Sequence, residues 1–514
     1  MTRTHCTAVA LLAFPLLAVA AEPNLKAMEE QIQKVAESVS PSVVSVVVSH
    51  SKEYRPLKNP KPGQLGGVTS EDLPANRDPL PFRPGRWQQQ FIPPPSPLDL
   101  SVPDNVADHL FGSGVVLDDG LILVPYHLTD GAKKVFVRGA SGKGSYADIH
   151  AADAKSDLAV LKLLAPIPGL KAVKIADLRL TPGADGEKPT MKKGAMVIAL
   201  GHSTAAAVGE GSAGVSWGVL SNVRMKSAQP PPAVAGPADP LKQRPLHQQG
   251  GLMQVDARVA LGSTGAAVFN TDGELIGLGS SVAAVYGSEA NGGYAIPMDV
   301  NYRRVIATLK EGKEVEYGFL GVSPSEGFGG VRILDVTPGC PAALAGLMLD
   351  DTIVAIDGHK LETQDDLLIY AGGALAGNQV TVEIDRQGRR QKVKLTLAKN
   401  VNQLPFIASV VPPAPFGLKV DYFSTRFAGG GLRERPINPP AGVLVREVDS
   451  GSPAERVLKE AGQPGKGSWL ITHVDGKPIS TPKEFYAATA GKKSLKLHLA
   501  DPDQPTTKVE ISLP

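Results

Sequence analysis

The chain has 514 residues, with 53 Lys and Arg against 51 Asp and Glu and a formal net charge of +2. This length exceeds one hydrophobic core and predicts about three domains. The near-neutral charge, without a dense basic run, argues against nucleic acid as a partner, and 55 glycines and 44 prolines favour β-rich domains with turns and linkers.

The N-terminus has the pattern of a secretory signal peptide. Arg3 precedes an apolar run from Ala8 to Ala21 that ends in small residues suited to cleavage. The run is too short to span a bilayer and Pro15 interrupts it, although a retained N-terminal anchor is the alternative. We therefore predict residues 1–21 as a signal peptide of an exported protein in the periplasm or cell envelope, or secreted. No later run is long enough to predict a stable membrane span.

The cysteine content excludes a disulfide framework. Cys6 lies in the predicted signal, so the mature chain keeps only Cys340, and a bridge needs two cysteines. Cys340 lies at a predicted helix start and is expected to be a packing residue rather than a nucleophile. Because no CxxC or HxxxH spacing occurs, the sequence predicts no metal site and no cofactor.

Residues 22–50 are predicted to form an N-terminal helix and a first strand. Apolar residues recur at helical spacing from Asn24 to Ser38, and Ser40 and Pro41 end the helix. The β-branched run Val43–Val48 is typical of a buried strand. Residues 51–104 are Pro-rich and lack periodicity, which predicts an insertion or linker.

Short β-type runs separated by turn residues occupy residues 105–313. This pattern predicts an all-β barrel or sandwich, with a second Pro-rich insertion at residues 228–245 and a helical segment at the end. The runs are SGVVL, LILV, KKVFVRG, DLAVLKL, AMVIAL, GVSWGVLSNV, LMQVDA, AAVFN and ELIGLGS.

An internal repeat follows, with a first copy at residues 314–400, a Pro-rich linker at 401–415 and a second copy at 416–514. Each copy begins with an apolar-Gly-apolar loop, FLGV at Phe319–Val322 and FGLKV at Phe416–Val420. A strand, a turn and helix, a strand ending in Asp-Gly, a further helix and a final strand then recur in the same order. We call these copies the first and second repeats.

Both repeats resemble PDZ domains of the kind found in secreted bacterial proteases. The resemblance implies that N–H groups of the apolar-Gly-apolar loop bind a peptide's C-terminal carboxylate, while an adjacent strand edge pairs with the peptide. A closed groove that serves only as a spacer is the alternative, particularly in the second repeat with its insertion FSTRFAGGGLRERPINPP. The peptide-binding positions are predicted to be Leu320, Gly321, Val322, Gly417 and Leu418.

Three segments upstream have the order of a catalytic triad. GSGVVLDDGLILVPYHLTDGA places His127 at a strand end, SDLAVLKL places Asp157 before a strand, and ALGSTGAAV contains Thr264. With the signal peptide and the repeats, these segments resemble the HtrA/DegP family of envelope proteases over essentially the whole mature chain.

This resemblance implies a mainly β fold, in which a trypsin-like double β-barrel precedes two PDZ (α+β) domains. It implies His127 as general base and Asp157 as the acid that orients it, with Thr264 at the nucleophile position. The N–H groups of Gly262 and Thr264 would form the oxyanion hole, and Asn291–Pro297 matches the strand beside the specificity pocket. The resemblance also implies a homo-oligomer built from trimers.

The nucleophile loop departs from the family pattern. The family has Gly-Asn-Ser-Gly-Gly-Pro-Leu where this chain has Gly-Ser-Thr-Gly-Ala-Ala-Val, residues 262–268. Threonine keeps the hydroxyl but adds a methyl group that restricts χ1. Overpacking by such a group costs about 1–3 kcal/mol, which is roughly one to two powers of ten in rate.

Three functions therefore stay open. The favoured one is an HtrA-like protein of quality control that binds exposed C-termini or unfolded segments, with proteolysis weak or lost, as in a pseudoprotease. The first alternative is an active endopeptidase that uses Thr264 with His127 and Asp157. The second is a non-catalytic scaffold or assembly subunit.

Overall fold

The protein is described by a computed structural model that covers residues 25–50, 110–118, 120–182, 187–202, 213–227, 245–259, 264–281, 293–401, 404–427, 439–462, 468–504 and 506–514. The predicted signal peptide and residues 51–104 lie outside the described residues. So does the second predicted insertion, apart from its last residue, Pro245.

The first barrel closes from six antiparallel strands, in the order β5-β4-β1-β2-β3-β6 with β6 returning to β5. Val44, Val46 and Val48 of β1 lie in the core of this barrel, while Val43 is buried in a core that includes residues of the second barrel. Strand β1 precedes the long insertion in the chain yet pairs with β2 and β4. The strands are β1 (Val43–Ser49), β2 (Leu110–Asp118), β3 (Leu121–Pro125), β4 (Lys134–Arg138), β5 (Gly144–Asp153) and β6 (Leu158–Leu163).

A second closed barrel of six strands has the order β10-β11-β12-β9-β8-β7. All nine β-type runs read from the sequence are strands of these two barrels. The pair confirms the mainly β, double-barrel fold. The strands are β7 (Met196–Gly201), β8 (Gly214–Met225), β9 (Leu252–Val255), β10 (Ala267–Phe269), β11 (Leu275–Ser280) and β12 (Gly293–Pro297).

In this part of the chain, the described residues form two α-helices of more than ten residues and one short α-helical turn. Helix α1 (Leu25–Val39) buries Val35 and Val39 in a core shared with both barrels. A short turn, α2 (Tyr126–Thr129), follows β3, and α3 (Val300–Lys310) follows β12. Asp299 caps α3, because its carboxylate accepts bonds from the first N–H groups of the helix.

The two repeats have the same sheet topology, which confirms the predicted duplication. The first sheet runs β14-β15-β16-β18-β19 and the second β22-β23-β24-β26-β27, each with a short strand beside its third member. The strands are β13 (Gly318–Phe319), β14 (Val322–Gly327), β15 (Gly330–Val336), β16 (Thr352–Ile356), β17 (His359–Lys360), β18 (Gln379–Arg386), β19 (Arg389–Thr396), β20 (Ala398–Lys399), β22 (Leu418–Tyr422), β23 (Val443–Val448), β24 (Leu470–Val474), β25 (Lys477–Pro478), β26 (Leu495–Ala500) and β27 (Lys508–Leu513).

The described residues of each repeat form two α-helices at corresponding places. The second helix of each begins with a threonine capping box, Thr363 with Asp366 and Thr481 with Glu484. Cys340 lies at the start of the first helix in the first repeat, and burial raises the pKa of its thiol to about 12. The helices are α4 (Pro341–Leu344), α5 (Gln364–Gly373), α6 (Pro453–Glu460) and α7 (Pro482–Thr489).

The predicted linker contains one further strand, β21 (Phe406–Ala408), which sequence patterning did not indicate. It pairs antiparallel with β5, from Ala151 to Asp153, and adds a seventh strand to the first barrel's sheet. The Val410 N–H also donates to the Gly312 carbonyl at 2.9 Å. Backbone hydrogen bonds therefore hold the chain between the repeats against the first barrel.

No helix in the described part of the chain is long and apolar enough to cross a membrane. Nor do the described residues contain a group of His, Cys, Asp and Glu side chains arranged to hold a metal ion.

Candidate active site

The structure brings His127 and Asp157 together at one end of the first barrel. His127 lies on α2, directly after β3, and Asp157 directly precedes β6, which pairs with β3. The His127 Nδ1 atom is 2.9 Å from Asp157 Oδ1 and 2.8 Å from Oδ2. The His127 backbone N–H donates to Oδ1 at 3.0 Å. The carboxylate thus fixes both the ring and the main chain of the histidine.

Asp157 is held in its charged form. Burial alone would raise its pKa, but the charge of His127 and the hydrogen bonds from it outweigh burial and keep the pKa below its ordinary value. Ser280, at the end of β11, donates to Oδ2 at 3.2 Å. The backbone of Asp157 has φ +59°, a left-handed conformation that Asp tolerates better than most residues. An ionised Asp157 places the ring proton of His127 on Nδ1 and leaves Nε2 as an acceptor.

Thr264 lies across from this pair, on the second barrel. It lies three residues before the start of β10, and its Oγ1 atom is 2.8 Å from His127 Nε2. Only 6% of the residue is exposed. The three predicted residues thus form one continuous chain of hydrogen bonds from carboxylate to imidazole to hydroxyl, across the junction of the two barrels.

The backbone around Thr264 requires glycine at the next position. Gly265 has φ +82°, and a Cβ atom there would lie 1.9 Å from the Ser113 carbonyl oxygen. The Ser113 N–H donates to the Thr264 carbonyl at 2.7 Å, and the Gly265 N–H donates to the Gly279 carbonyl at 2.7 Å. Strands of both barrels therefore fix the turn that carries the hydroxyl. Ala266, where the family has its second glycine, is buried.

Two predicted positions lie outside the described residues. Gly262, the predicted oxyanion-hole glycine, is one, and residues 291–292 of the predicted pocket strand are the other. The remainder of that segment forms β12, which pairs with β11 and β9. The oxyanion-hole roles of Gly262 and Thr264 stay predictions.

Ser281 is a neighbour of the site that sequence reasoning missed. It directly follows β11, and its Oγ lies 2.8 Å from Thr264 Oγ1 and 3.3 Å from His127 Nε2. Its backbone N–H also donates to Thr264 Oγ1 at 3.2 Å. The paired serines after GLG were the available signal, since adjacent residues at the end of a strand point to opposite sides.

A buried polar cluster supports the loop that carries Asp157. The Asp153 carboxylate accepts from Tyr317 Oη at 2.5 Å and from the Ser156 N–H at 2.8 Å. Lys155 Nζ lies 4.2 Å from the centre of the Tyr317 ring, and burial lowers the pKa of Lys155 to about 8 against the opposing charge of Asp153. Tyr317 immediately precedes β13, so this cluster joins the Asp157 loop to the first repeat.

The predicted carboxylate loop of the first repeat has the backbone that such a loop needs. Gly321 has φ +83°, and a Cβ there would lie 2.2 Å from the Cβ of Cys340. Its carbonyl accepts from the Thr337 N–H at 2.8 Å, while the Leu320 side chain is buried in the core. Val322 begins β14, which is an end strand of its sheet. The loop therefore opens onto a strand edge.

The second repeat repeats this geometry. Gly417 has φ +84°, its Cβ would lie 2.2 Å from the Cβ of Ser452, and its carbonyl accepts from the Asp449 N–H. Leu418 is buried and begins the end strand β22.

The two strand edges differ where a peptide would pair. In the second repeat the Val420 N–H donates to Tyr486 Oη at 3.3 Å, and that hydroxyl lies 3.5 Å from the Val420 carbonyl oxygen. The matching register position in the first repeat is Pro324, which has no N–H. A side chain thus occupies the second edge, while the first lacks one backbone donor.

Comparisons with known proteins agree with this architecture. A profile of the trypsin-like peptidase domain matches residues 112–278, and one of the PDZ domain matches residues 318–397. The chain is 27% identical over 495 residues to a probable periplasmic serine endoprotease, DegP-like, of Halomonas elongata, covering 91% of this chain and 90% of that protein. It is 24% identical over 512 residues to the periplasmic serine endoprotease DegP of Salmonella typhimurium, covering 94% and 92% respectively.

Among solved structures, the serine endoprotease from Yersinia pestis is matched with a TM-score of 0.41 and 20% identity, covering 72% of this chain and 98% of that one. From the two barrels, the repeats and the sequence matches, the molecule is a trypsin-like peptidase domain joined to PDZ domains. These matches support an HtrA/DegP-like protease family for the chain.

Proposed function

We propose that the protein is an exported, HtrA-like endopeptidase of low activity that captures exposed C-termini or unfolded segments of other proteins for quality control. The signal-like N-terminus supports export, and the relatives in Halomonas and Salmonella are named periplasmic. The observation that carries the proposal is the 2.8 Å contact between Thr264 Oγ1 and His127 Nε2, with Asp157 on the other ring nitrogen.

The chemistry follows from this chain of hydrogen bonds. His127 Nε2 takes the hydroxyl proton as Thr264 Oγ1 attacks a peptide carbonyl, and Asp157 stabilises the imidazolium that results. His127 then returns the proton to the leaving amine, which leaves an ester on Thr264 that water hydrolyses by the same route. The extra methyl group of threonine lowers the rate rather than the competence of the site, because the hydroxyl already lies within hydrogen-bond distance of its base.

Cleavage of an unfolded protein tests the catalytic part of the proposal. We expect purified protein to cut unfolded casein slowly, and His127→Ala to abolish the cutting because the base is lost. Liberated α-amino groups measure the rate. Cleavage that persists in the His127→Ala protein would assign the activity to a contaminant or to another site.

Peptide capture is assigned to the first PDZ domain. Its loop at Leu320–Val322 can hold a terminal carboxylate through backbone N–H groups, and the edge of β14 can pair with the residues that precede it. Because Pro324 has no backbone N–H, one hydrogen bond between β14 and the peptide is missing. The terminal carboxylate therefore contributes a larger share of the affinity than it would if every backbone hydrogen bond were formed. In the second domain the contact between Tyr486 and Val420 occupies the corresponding edge.

Gly321→Ala should strongly weaken this capture. The substitution forces a side chain into a left-handed backbone, which costs about 1–2 kcal/mol, and places its Cβ against Cys340. We expect one unstructured peptide to bind per chain, and the affinity to be at least tenfold lower in the variant. Fluorescence anisotropy measures both, with peptides whose C-terminus is either free or amidated.

Gly329→Ala is the matched control, because Gly329 has φ +74° but a Cβ there meets nothing within 4 Å. This variant has the same backbone strain, in the turn between β14 and β15, but its Cβ does not overlap with a neighbouring side chain. Thermal unfolding of both variants separates loss of the loop from loss of the domain. Unchanged binding in a folded Gly321→Ala protein would refute the assignment.

A further inference from the structure

A second hydroxyl, that of Ser281, lies within hydrogen-bond distance of Thr264 in the candidate active site. Thr264 Oγ1 lies 2.8 Å from His127 Nε2 and 2.8 Å from Ser281 Oγ, and it accepts the Ser281 backbone N–H at 3.2 Å. Ser281 Oγ lies farther from His127 Nε2, at 3.3 Å. One short segment after β11 therefore makes two contacts with the same oxygen.

The donors and acceptors of this group can be assigned by counting. His127 donates its Nδ1–H to Asp157, so Nε2 offers one lone pair. The Thr264 hydroxyl has one proton and two lone pairs, and its contact with Nε2 is shorter than that of Ser281. The Thr264 proton therefore goes to Nε2, and Ser281 O–H and N–H donate to the two lone pairs of Thr264 Oγ1.

We propose that Ser281 keeps the Thr264 nucleophile latent by occupying both of its lone pairs. This inference rests on the proposed function, because it concerns the same hydroxyl and the same base. Attack on a carbonyl needs a free lone pair aimed at the carbon, and Thr264 has none while both donors are in place. Of the two, the hydroxyl can rotate away when substrate arrives, whereas the backbone N–H is fixed by the end of β11. Ser281 is thus a positioning residue, and the hydrogen bond from its hydroxyl to Thr264 Oγ1 must break before each turnover.

Removing the Ser281 hydroxyl should consequently accelerate the reaction. In Ser281→Ala the backbone N–H remains and holds the Thr264 oxygen near His127, while one lone pair becomes free. We expect the rate to rise about threefold to tenfold, the range that one neutral hydrogen bond supplies. A rise is a readout that simple damage to the fold would not produce.

The test measures the rate of phosphonylation by a fluorophosphonate probe, in which an oxygen–phosphorus bond forms and fluoride leaves. Ser281→Ala is compared with its parent in two backgrounds, the natural chain and Thr264→Ser. Ser281→Thr retains the donor and should stay slower than Ser281→Ala. Ser512→Ala, which removes an exposed hydroxyl of β27 in the second PDZ domain, should match the parent.

The site of the adduct is read by mass spectrometry after cleavage at Glu274, which separates Thr264 from Ser281. Faster labelling of residue 264 in Ser281→Ala supports the proposal. Equal or slower labelling in both backgrounds overturns it, as does an adduct on Ser281 itself. If only the chains that carry Thr264→Ser react, the proposed slow endopeptidase activity of Thr264 is refuted. The role of Ser281 is then decided by comparing Thr264→Ser with and without Ser281→Ala. If no chain reacts, both are refuted.

Discussion

Thr264→Ser should raise the rate of peptide cleavage by about ten- to a hundredfold. The change removes only the β-methyl group, and the overpacking that such a group causes costs about 1–3 kcal/mol, which converts to one to two powers of ten in rate. The remaining parts of the site are in place, because His127 Nε2 already lies 2.8 Å from the hydroxyl and the Gly265 turn is fixed by both barrels.

The comparison is best made on kcat and KM separately, with casein and with a short peptide. A methyl group that obstructs the attack lowers kcat, so its removal should raise kcat and leave KM nearly unchanged. If kcat/KM rises only because KM falls, the methyl group obstructs substrate binding instead. No gain at all would assign the low activity to the contacts of Ser281 or to the altered loop or pocket, including Ala266 and Ala267, rather than to the methyl group.

Much of the architecture could be predicted from the sequence because its signals are local. Nine β-type runs with turn residues between them identified nine barrel strands, and the repeated order of elements identified two sheets of one topology. Strand β5 was missed because GSYADIHAAD is poor in β-branched residues and holds two Asp. It is a strand because it closes the barrel between β4 and β6, a long-range condition that no local pattern carries.

The same distinction holds for the candidate site. His127, Asp157 and Thr264 each occur in a motif, and the structure places them within hydrogen-bond distance of one another. Ser281 has no motif of its own, and its contact with Thr264 exists only because β10 and β11 pair and leave both residues at the same end. Tyr486 against Val420 is a similar case, since 66 residues separate them. Contacts that regulate a site can depend entirely on tertiary structure.

Asp157→Asn should lower the rate of cleavage by about four powers of ten, the loss that this substitution produces in a serine protease triad. The effect is best measured in the Thr264→Ser background, where the starting rate is expected to be higher. An amide retains one oxygen, which can still accept the His127 backbone N–H, but its NH2 group faces the ring. His127 Nδ1 must then accept, so Nε2 carries the proton and cannot take one from the nucleophile.

The matched control is Asp148→Asn, an exposed carboxylate on β5, which should leave the rate unchanged. Stability provides a second readout with a defined sign. Because the folded pKa of Asp157 is depressed, its contribution is present above the unfolded value of about 3.9 and is lost as the pH falls below it. Asp157→Asn should therefore reduce the free energy of unfolding at pH 7. In the variant this free energy should also fall less steeply as the pH is lowered into the acid range. An unchanged rate in a folded Asp157→Asn protein would mean that the short bonds to His127 hold structure without serving catalysis.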